Sequence, residues 1–155
     1  MKISWKNLLI LLAIPLGVGG AAALLSGGMN TYDVMKQPPL SPPGWLFPVV
    51  WTILYLLMGY ASYRVYTSDS PREEKKQALT FYGAQLFVNF LWPIVFFRFQ
   101  WYWAAFFLLT VLWVLIYLTM HLFSTIDETA EDLLIPYLLW VTFAGYLNLG
   151  VALLN

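Results

Sequence analysis

The chain has no cysteine, one histidine and few charges, with 8 Lys and Arg and 8 Asp and Glu among 155 residues. Without cysteine there are no disulfides, thiol nucleophiles or sulfur ligands for a metal. His121 is the only histidine and no carboxylate lies inside an apolar run, which argues against hydrolytic or metal chemistry, so no metal site is expected. The net charge of zero also argues against nucleic acid as a partner, because its phosphates require a cationic face.

Apolar residues are abundant instead, at 61% of the chain, and aromatic residues make up 19%, as is typical of integral membrane proteins. Five stretches lack Asp, Glu, Lys and Arg and approach or exceed the roughly 20 residues that a bilayer crossing needs. They cover residues 7–26, 45–63, 77–97, 99–123 and 133–154. Because these runs are unbroken rather than alternating, they predict helices and not barrel strands. We therefore predict an all-α, integral membrane bundle of five transmembrane helices, in one domain covering residues 1–155.

The first apolar run has an alternative interpretation as a secretory signal. Lys2 and Lys6 precede it, and the alanines at 21–23 resemble a cleavage site. However, the run continues through Leu24 and Leu25. A ridge of small residues along it is suited to close helix packing and favours a retained helix, with Ala13, Gly17 and Ala21 as its members.

The distribution of Lys and Arg predicts the orientation. Five spans place the termini on opposite sides, and six of the eight cations then share the side of the N-terminus. These six are Lys2, Lys6, Arg64, Arg72, Lys75 and Lys76, and the other two are Lys36 and Arg98. Because cations concentrate in cytoplasmic connections, this pattern predicts a cytoplasmic N-terminus in a multi-pass protein. The expected location is a bacterial cell membrane.

Residues 27–43 form the longest polar connection, and their prolines predict a stiff lid over an aromatic cavity. Pro93 lies inside the third apolar run, where it frees the carbonyl of Asn89 and predicts a kink. Helical spacing puts polar and aromatic residues on one face of each of three predicted helices. The second run has Trp51 and Tyr55 on such a face, the third has Gln85, Asn89, Trp92 and Phe96, and the fifth has Trp140, Ala144 and Asn148. These faces either converge on a site or simply join the helices through packing and amide hydrogen bonds.

Three segments carry a resemblance to a known family. They are PPLSPPGWLFPVVWTILYLLMGYASY at 38–63, YGAQLFVNFLWPIVFF at 82–97 and PYLLWVTFAGYLNLGVALLN at 136–155. In combination they resemble the tryptophan-rich sensory proteins, also called translocator proteins or peripheral-type benzodiazepine receptors. The resemblance implies a five-helix receptor-like bundle, commonly a homodimer, with a cavity beneath the first loop. Such proteins bind porphyrins and apolar drug-like ligands, and animal members also bind cholesterol.

By position, the resemblance implies a set of ligand-binding residues, with Tyr32 and Pro42 in the lid and Trp51, Tyr55, Asn89, Phe90, Trp140 and Ala144 around the cavity. Lys36 would pair with a porphyrin propionate. Porphyrin would be a ligand, and no covalently attached cofactor is expected.

Two departures from the family pattern stand out. No basic residue follows Tyr146, where animal relatives have the pattern tied to sterol, and Leu57, Tyr60 and Arg64 offer only a loose match elsewhere. This argues against cholesterol. Leu40 stands where many relatives carry an aromatic residue.

The expected function is that of a membrane tetrapyrrole-binding protein, for ligands of the protoporphyrin or haem type, in porphyrin handling, transport or stress sensing. The alternative is light- and oxygen-dependent degradation of porphyrin, with Trp51 and Trp140 as redox-active walls. An ion-coupled transporter would require ionisable groups at membrane depth and an internal repeat, and the sequence has neither.

Overall fold

The computed structural model describes residues 3–27 and 30–155. Its helices, in chain order, are α1 (Trp5–Leu25), α2 (Asn30–Val34), α3 (Leu46–Tyr66), α4 (Arg72–Pro93), α5 (Tyr102–Ser124), α6 (Glu128–Leu133) and α7 (Ile135–Leu154). A π-helical turn, Ile94–Arg98, follows α4. Five of these elements are long and apolar enough to cross a membrane, and no strand occurs in the described ranges. The predicted all-α bundle of five membrane helices is confirmed. Lys2 and positions 28–29 of the predicted lid lie outside the described residues.

α3 and α4 extend past the charge-free runs from which they were predicted. α4 begins at Arg72 rather than near residue 77, and its first turn carries Glu73 and Glu74. α3 continues to Tyr66 and has Arg64 in its last turn. Acidic residues at a helix N-terminus and basic residues at a C-terminus interact favourably with the helix dipole and stabilise the helix. The apolar run marks the part of a helix inside the bilayer, whereas its hydrogen bonding continues into the charged boundary.

Pro93, where the sequence predicts a kink, lies at the boundary between α4 and the π-helical turn. It is the last residue of the α-helix, and the π-helical turn begins at the next residue. Within that turn the Phe99 amide donates to the carbonyl of Ile94, five residues earlier, at 3.2 Å. The guanidinium of Arg98 then reaches the last turn of α1 and donates to the Leu25 carbonyl at 3.0 Å. The π-helical turn therefore connects the end of α4 to the end of α1.

Glycines set how closely α1 approaches α3. A Cβ atom at Gly59 of α3 would lie 2.9 Å from both the Leu11 carbonyl oxygen and the Leu12 Cα atom of α1. Further along, a Cβ at Gly19 of α1 would lie 2.1 Å from Cε2 of Tyr55. Small residues of this kind allow helix backbones to pack closely in a membrane. The remaining helices complete the bundle, with α4 beside α5, α5 beside α7 and α1 also against α4.

The ridge predicted for close packing of α1 does not face the other helices of this chain. Ala13, Gly17 and Ala21 are exposed, and a Cβ at Gly17 would meet no atom within 4 Å. The contact with α3 uses Gly19 instead. The stretch from 17 to 23 holds small residues on every side of the helix, so their spacing did not identify the packed face.

An ion pair joins the end of α3 to the start of α6 at the end of the bundle opposite the lid. The Arg64 guanidinium contacts the Asp127 carboxylate through Nε, at 3.2 and 3.1 Å, and through Nη2, at 3.1 Å. Asp127 also accepts from the Ala130 amide at 3.0 Å and so caps α6. One carboxylate thus begins a short helix and holds α3 beside it.

Candidate functional site

A cavity of about 380 Å³ lies between α1, α3 and α4 on the lid side of the bundle. Small-molecule sites typically span roughly 300 to 1,000 Å³. Its walls are mainly apolar and aromatic, and the residues that line it are Leu16, Gly19, Gly20, Ala22, Ala23, Ser26, Phe47, Pro48, Trp51, Thr52, Tyr55, Asn89, Trp92, Pro93 and Phe97. No carboxylate, imidazole or ammonium group is among them. The cavity is therefore suited to hold an apolar ligand rather than to perform acid–base chemistry.

One wall is a pair of stacked rings from α3. Trp51 and Tyr55 are one helical turn apart, so their side chains project from the same face. Their ring centroids are 5.6 Å apart and their planes differ by 28°. The edge of Tyr137 on α7 contacts Trp51 at 6.1 Å between centroids, and Gly19 leaves room for the Tyr55 ring. Contacts from α1 and α7 thus hold both rings of the wall in place.

A chain of hydrogen bonds runs from this wall into the bundle. The Tyr55 hydroxyl donates to Oδ1 of Asn89 at 3.0 Å, and Nδ2 of Asn89 donates to the Tyr137 hydroxyl at 2.6 Å. Tyr137 in turn donates to Oε1 of Gln85 at 2.6 Å. Gln85 and Asn89 are only 1% and 2% exposed, as predicted for amides inside a membrane. The chain joins α3, α4 and α7. Nε2 of Gln85 is buried and has no hydrogen-bond partner among the described residues.

A second set of bonds joins α4, α5 and α7 nearer the lid. Nε1 of Trp92 donates to Oδ1 of Asn148 at 2.9 Å, and Nδ2 of Asn148 donates to the Tyr102 carbonyl at 2.9 Å. Trp92 also stacks on Phe96 at 5.0 Å. Both interpretations of the polar faces are therefore represented, because Asn89 lines the cavity whereas Asn148 joins helices.

The structure separates the predicted ligand-binding residues into three groups. Trp51, Tyr55 and Asn89 share the cavity, whereas Ala144 lines a neighbouring space of about 20 Å³ together with Tyr32. Trp140, Phe90 and Pro42 line neither space. Pro42 instead borders an open groove on the lid.

Phe47 lines both the cavity and the small space. Its ring contacts Tyr32 at 5.0 Å and Trp140 at 5.8 Å between centroids. Nε1 of Trp140 is buried and has no hydrogen-bond partner among the described residues. Trp92 and Phe97 also line both spaces, and Phe47 lies between the cavity and Trp140.

The lid folds back on itself and is attached to α7. The Tyr32 hydroxyl donates to the Pro42 carbonyl, and burial raises the pKa of this phenol. Pro38 lies over Gly150, where a Cβ would be 2.5 Å from its Cγ atom. The Asn155 side chain binds the backbone of Lys36, accepting from its amide at 3.2 Å and donating to its carbonyl at 2.8 Å. The part of the lid from Tyr32 to Pro42 is therefore held by contacts within the chain.

The contribution of α1 to the cavity could not be seen in the sequence. Gly19, Gly20, Ala22 and Ala23 provide one wall, but glycine and alanine give no polar or aromatic signal. Their density between 17 and 23 is the one sign that something approaches this helix closely.

Comparison with known proteins places the chain among membrane proteins of one family. The TspO/MBR family model matches residues 9–154. The chain is 38% identical to a tryptophan-rich sensory protein of Cereibacter sphaeroides over 155 residues, which is all of this chain and 95% of that protein. It is 36% identical to the tryptophan-rich protein TspO of Chlorobaculum tepidum over 93% of this chain and 91% of that protein. It is 34% identical to the translocator protein of Bos taurus over 85% of this chain and 79% of that protein.

These matches agree with the architecture. The matched residues include α1 from Leu9 onward, the other four membrane-length helices and both sets of buried hydrogen bonds. The names of the bacterial relatives support a sensory role in a membrane. The chain has five apolar helices and is similar to these relatives along nearly its whole length. It is therefore an integral multi-pass membrane protein that belongs to the TspO/MBR family.

Proposed function

We propose that this protein binds a flat tetrapyrrole of the protoporphyrin or haem type in the cavity and acts in porphyrin handling, transport or stress sensing. The observation that carries the proposal is the stacked wall of Trp51 and Tyr55 beside an apolar cavity of about 380 Å³. A planar aromatic ring stacks on such a wall and buries its apolar area. Apolar drug-like ligands would use the same wall.

The polar groups of a tetrapyrrole would lie toward the lid. The cavity is at the small end of the usual range for ligand sites, so a large ring would extend beyond it. Lys36 is exposed on the lid and would pair with a propionate there. Movement of Phe47 would add the space beside Ala144 and Tyr32.

The second candidate function is light- and oxygen-dependent porphyrin degradation. Trp51 favours it, because its indole ring lines the cavity and would contact a bound porphyrin. Trp140 stands behind Phe47, so it would take part only after that ring moves. In this function the porphyrin absorbs light and oxygen is the oxidant.

The contacts of Arg64 support the expectation that cholesterol is not a ligand. Arg64 is bound to Asp127 and also donates to the Tyr60 hydroxyl at 3.3 Å. Two members of the loose sterol-like pattern are therefore engaged with each other and with a carboxylate. We also propose a homodimer and a cytoplasmic N-terminus in a bacterial cell membrane, on the family resemblance and the distribution of cations.

The test is a titration of purified protein in lipid nanodiscs with protoporphyrin IX, followed by quenching of tryptophan emission. Trp51→Phe should weaken binding, and Trp103→Phe, which changes an exposed indole, is the matched control. Equal affinity of the Trp51 variant and the wild type would remove the assigned wall, and the absence of saturable binding would remove the proposed ligand.

Illumination of the same samples separates the two candidate functions. Degradation predicts that the wild type bleaches bound protoporphyrin faster than Trp51→Phe does. Equal bleaching by wild type, variant and protein-free nanodiscs would leave binding as the function.

A further inference from the structure

The cavity has an opening between α1 and α3. Five of its lining residues are also exposed on the outside of the bundle, namely Leu16, Gly20 and Ala23 on α1 and Pro48 and Thr52 on α3. Their spacing of four, three and four residues puts each set on one stripe of its helix. The lining residues of α4 are buried or half-buried. The opening is therefore a cleft between two helices, which we call the α1–α3 cleft.

The cleft lies beside the close contact between the two helices. Away from the lid, Gly59 brings the backbones of α1 and α3 together, and the Tyr55 ring lies against Gly19. Toward the lid, α1 offers Gly20, where a Cβ would meet no atom within 4 Å, and then Ala23. These small side chains do not fill the space up to α3.

The position of the cleft puts it against lipid rather than water. Gly20 is five residues from the end of α1, and Thr52 is six residues from the start of α3. At 1.5 Å per residue, both lie about 8 to 9 Å inside the helix ends. A bilayer core is about 30 Å thick, so this depth falls within the acyl chains of one leaflet.

The polar groups at the rim of the cleft are compatible with a lipid environment. The Thr52 hydroxyl donates to the Pro48 carbonyl at 2.7 Å, so it needs no other partner for its hydrogen. A route that required the lid to open would have to break the contacts that attach the lid to α7 through Asn155 and Pro38. An apolar molecule dissolved in the bilayer meets neither an unpaired donor nor a fixed loop at the cleft.

We propose that the α1–α3 cleft is the entrance through which ligand passes between the cavity and the lid-side leaflet. It fits a flat, apolar amphiphile that partitions into the membrane before it binds. The inference rests on the proposed function for the identity of this ligand, with protoporphyrin IX as the probe. Exchange then occurs without opening of the lid, and the bilayer serves as the reservoir of ligand.

The test compares two substitutions on α1. Gly20→Phe places a ring in the cleft, and Gly17→Phe places the same ring on an exposed part of the same helix that does not line the cavity. Neither glycine has an atom within 4 Å of a Cβ, so both variants should fold. Stopped-flow quenching by protoporphyrin IX in phosphatidylcholine nanodiscs gives the association and dissociation rates.

We expect Gly20→Phe to slow dissociation about tenfold, which corresponds to about 1.4 kcal/mol on the barrier, and to slow association as well. Gly17→Phe should leave both rates unchanged. A ring that merely filled the cavity would accelerate dissociation, so unchanged or faster dissociation in Gly20→Phe overturns the proposal. Asn155→Ala loosens the lid, and faster exchange in that variant would assign entry to the lid instead.

A second measurement does not depend on porphyrin. Phosphatidylcholine brominated along its acyl chains should quench the emission of Trp51, obtained as the difference between wild type and Trp51→Phe. Gly20→Phe should reduce this quenching, whereas Gly17→Phe should not. Absence of Trp51 quenching in the wild type would show that acyl chains do not reach the cleft, even if porphyrin binds. Failure of porphyrin to bind with quenching intact would instead remove the ligand and leave the cleft open to lipid.

Discussion

The amide of Asn89 is the most informative single target, because it supports both the wall of the cavity and the packing of three helices. It accepts from Tyr55 at 3.0 Å and donates to Tyr137 at 2.6 Å. Asn89→Leu keeps a side chain of similar size and removes both bonds. Hydrogen bonds between membrane helices contribute about 0.6 kcal/mol on average and at most about 1.7 kcal/mol. The substitution should therefore lower the free energy of unfolding by about 1 to 3 kcal/mol.

The assay is unfolding in mixed micelles with increasing dodecyl sulfate, followed by circular dichroism. Gln77→Leu, an exposed amide on the same helix, is the matched control and should change stability by less than about 0.5 kcal/mol. In a double-mutant cycle with Tyr55→Phe, the bond between the two residues should appear as a coupling of about 0.6 to 1.7 kcal/mol. Strict additivity of the two substitutions would refute the hydrogen-bond chain as described.

Three further substitutions test other contacts. Gly150→Ala places a Cβ 2.5 Å from Pro38 and should displace the lid. Trypsin should then cleave the lid faster than it does in the control Gly145→Ala, where a Cβ meets no atom within 4 Å. Equal cleavage in the two variants would contradict this contact. Tyr82→Phe removes a buried hydroxyl that has no hydrogen-bond partner among the described residues. It should raise the free energy of unfolding by about 1 kcal/mol. A lower free energy of unfolding would mean that the hydroxyl is hydrogen-bonded. Asp127→Ala removes the cap of α6 and should cost about 1 to 2 kcal/mol, more than Asp127→Asn, which retains an acceptor; equal costs would contradict the capping role.

The five membrane helices could be predicted because the cost of burying charge confines Lys, Arg, Asp and Glu to their ends. A departure from regular α-helix at Pro93 was predictable for a similar reason, since proline removes a backbone donor at a known position. Trp51, Tyr55 and Asn89 were also found from spacing, because aromatic and amide side chains in one helical stripe mark a face turned toward protein.

Residues without a distinctive side chain were not predictable. The wall from α1 consists of glycine and alanine, and neither gives a periodic polar pattern. Phe47 is one apolar residue within an apolar run, so nothing local indicates that its ring stands between Trp140 and the cavity. Which rings share a space is decided by packing between helices that are distant in sequence, and single-helix periodicity does not contain that information.

The contact between Gly19 and Tyr55 links two positions whose identities can no longer vary independently. Any side chain at 19 would begin 2.1 Å from the phenol ring and would force that ring away from Asn89. During divergence, replacement of the glycine should then be accompanied by a smaller residue at 55 or by loss of the aromatic wall. Covariation of positions 19 and 55 in an alignment of many homologous sequences would therefore reflect the geometry of the ligand site, and no ligand would have to be measured.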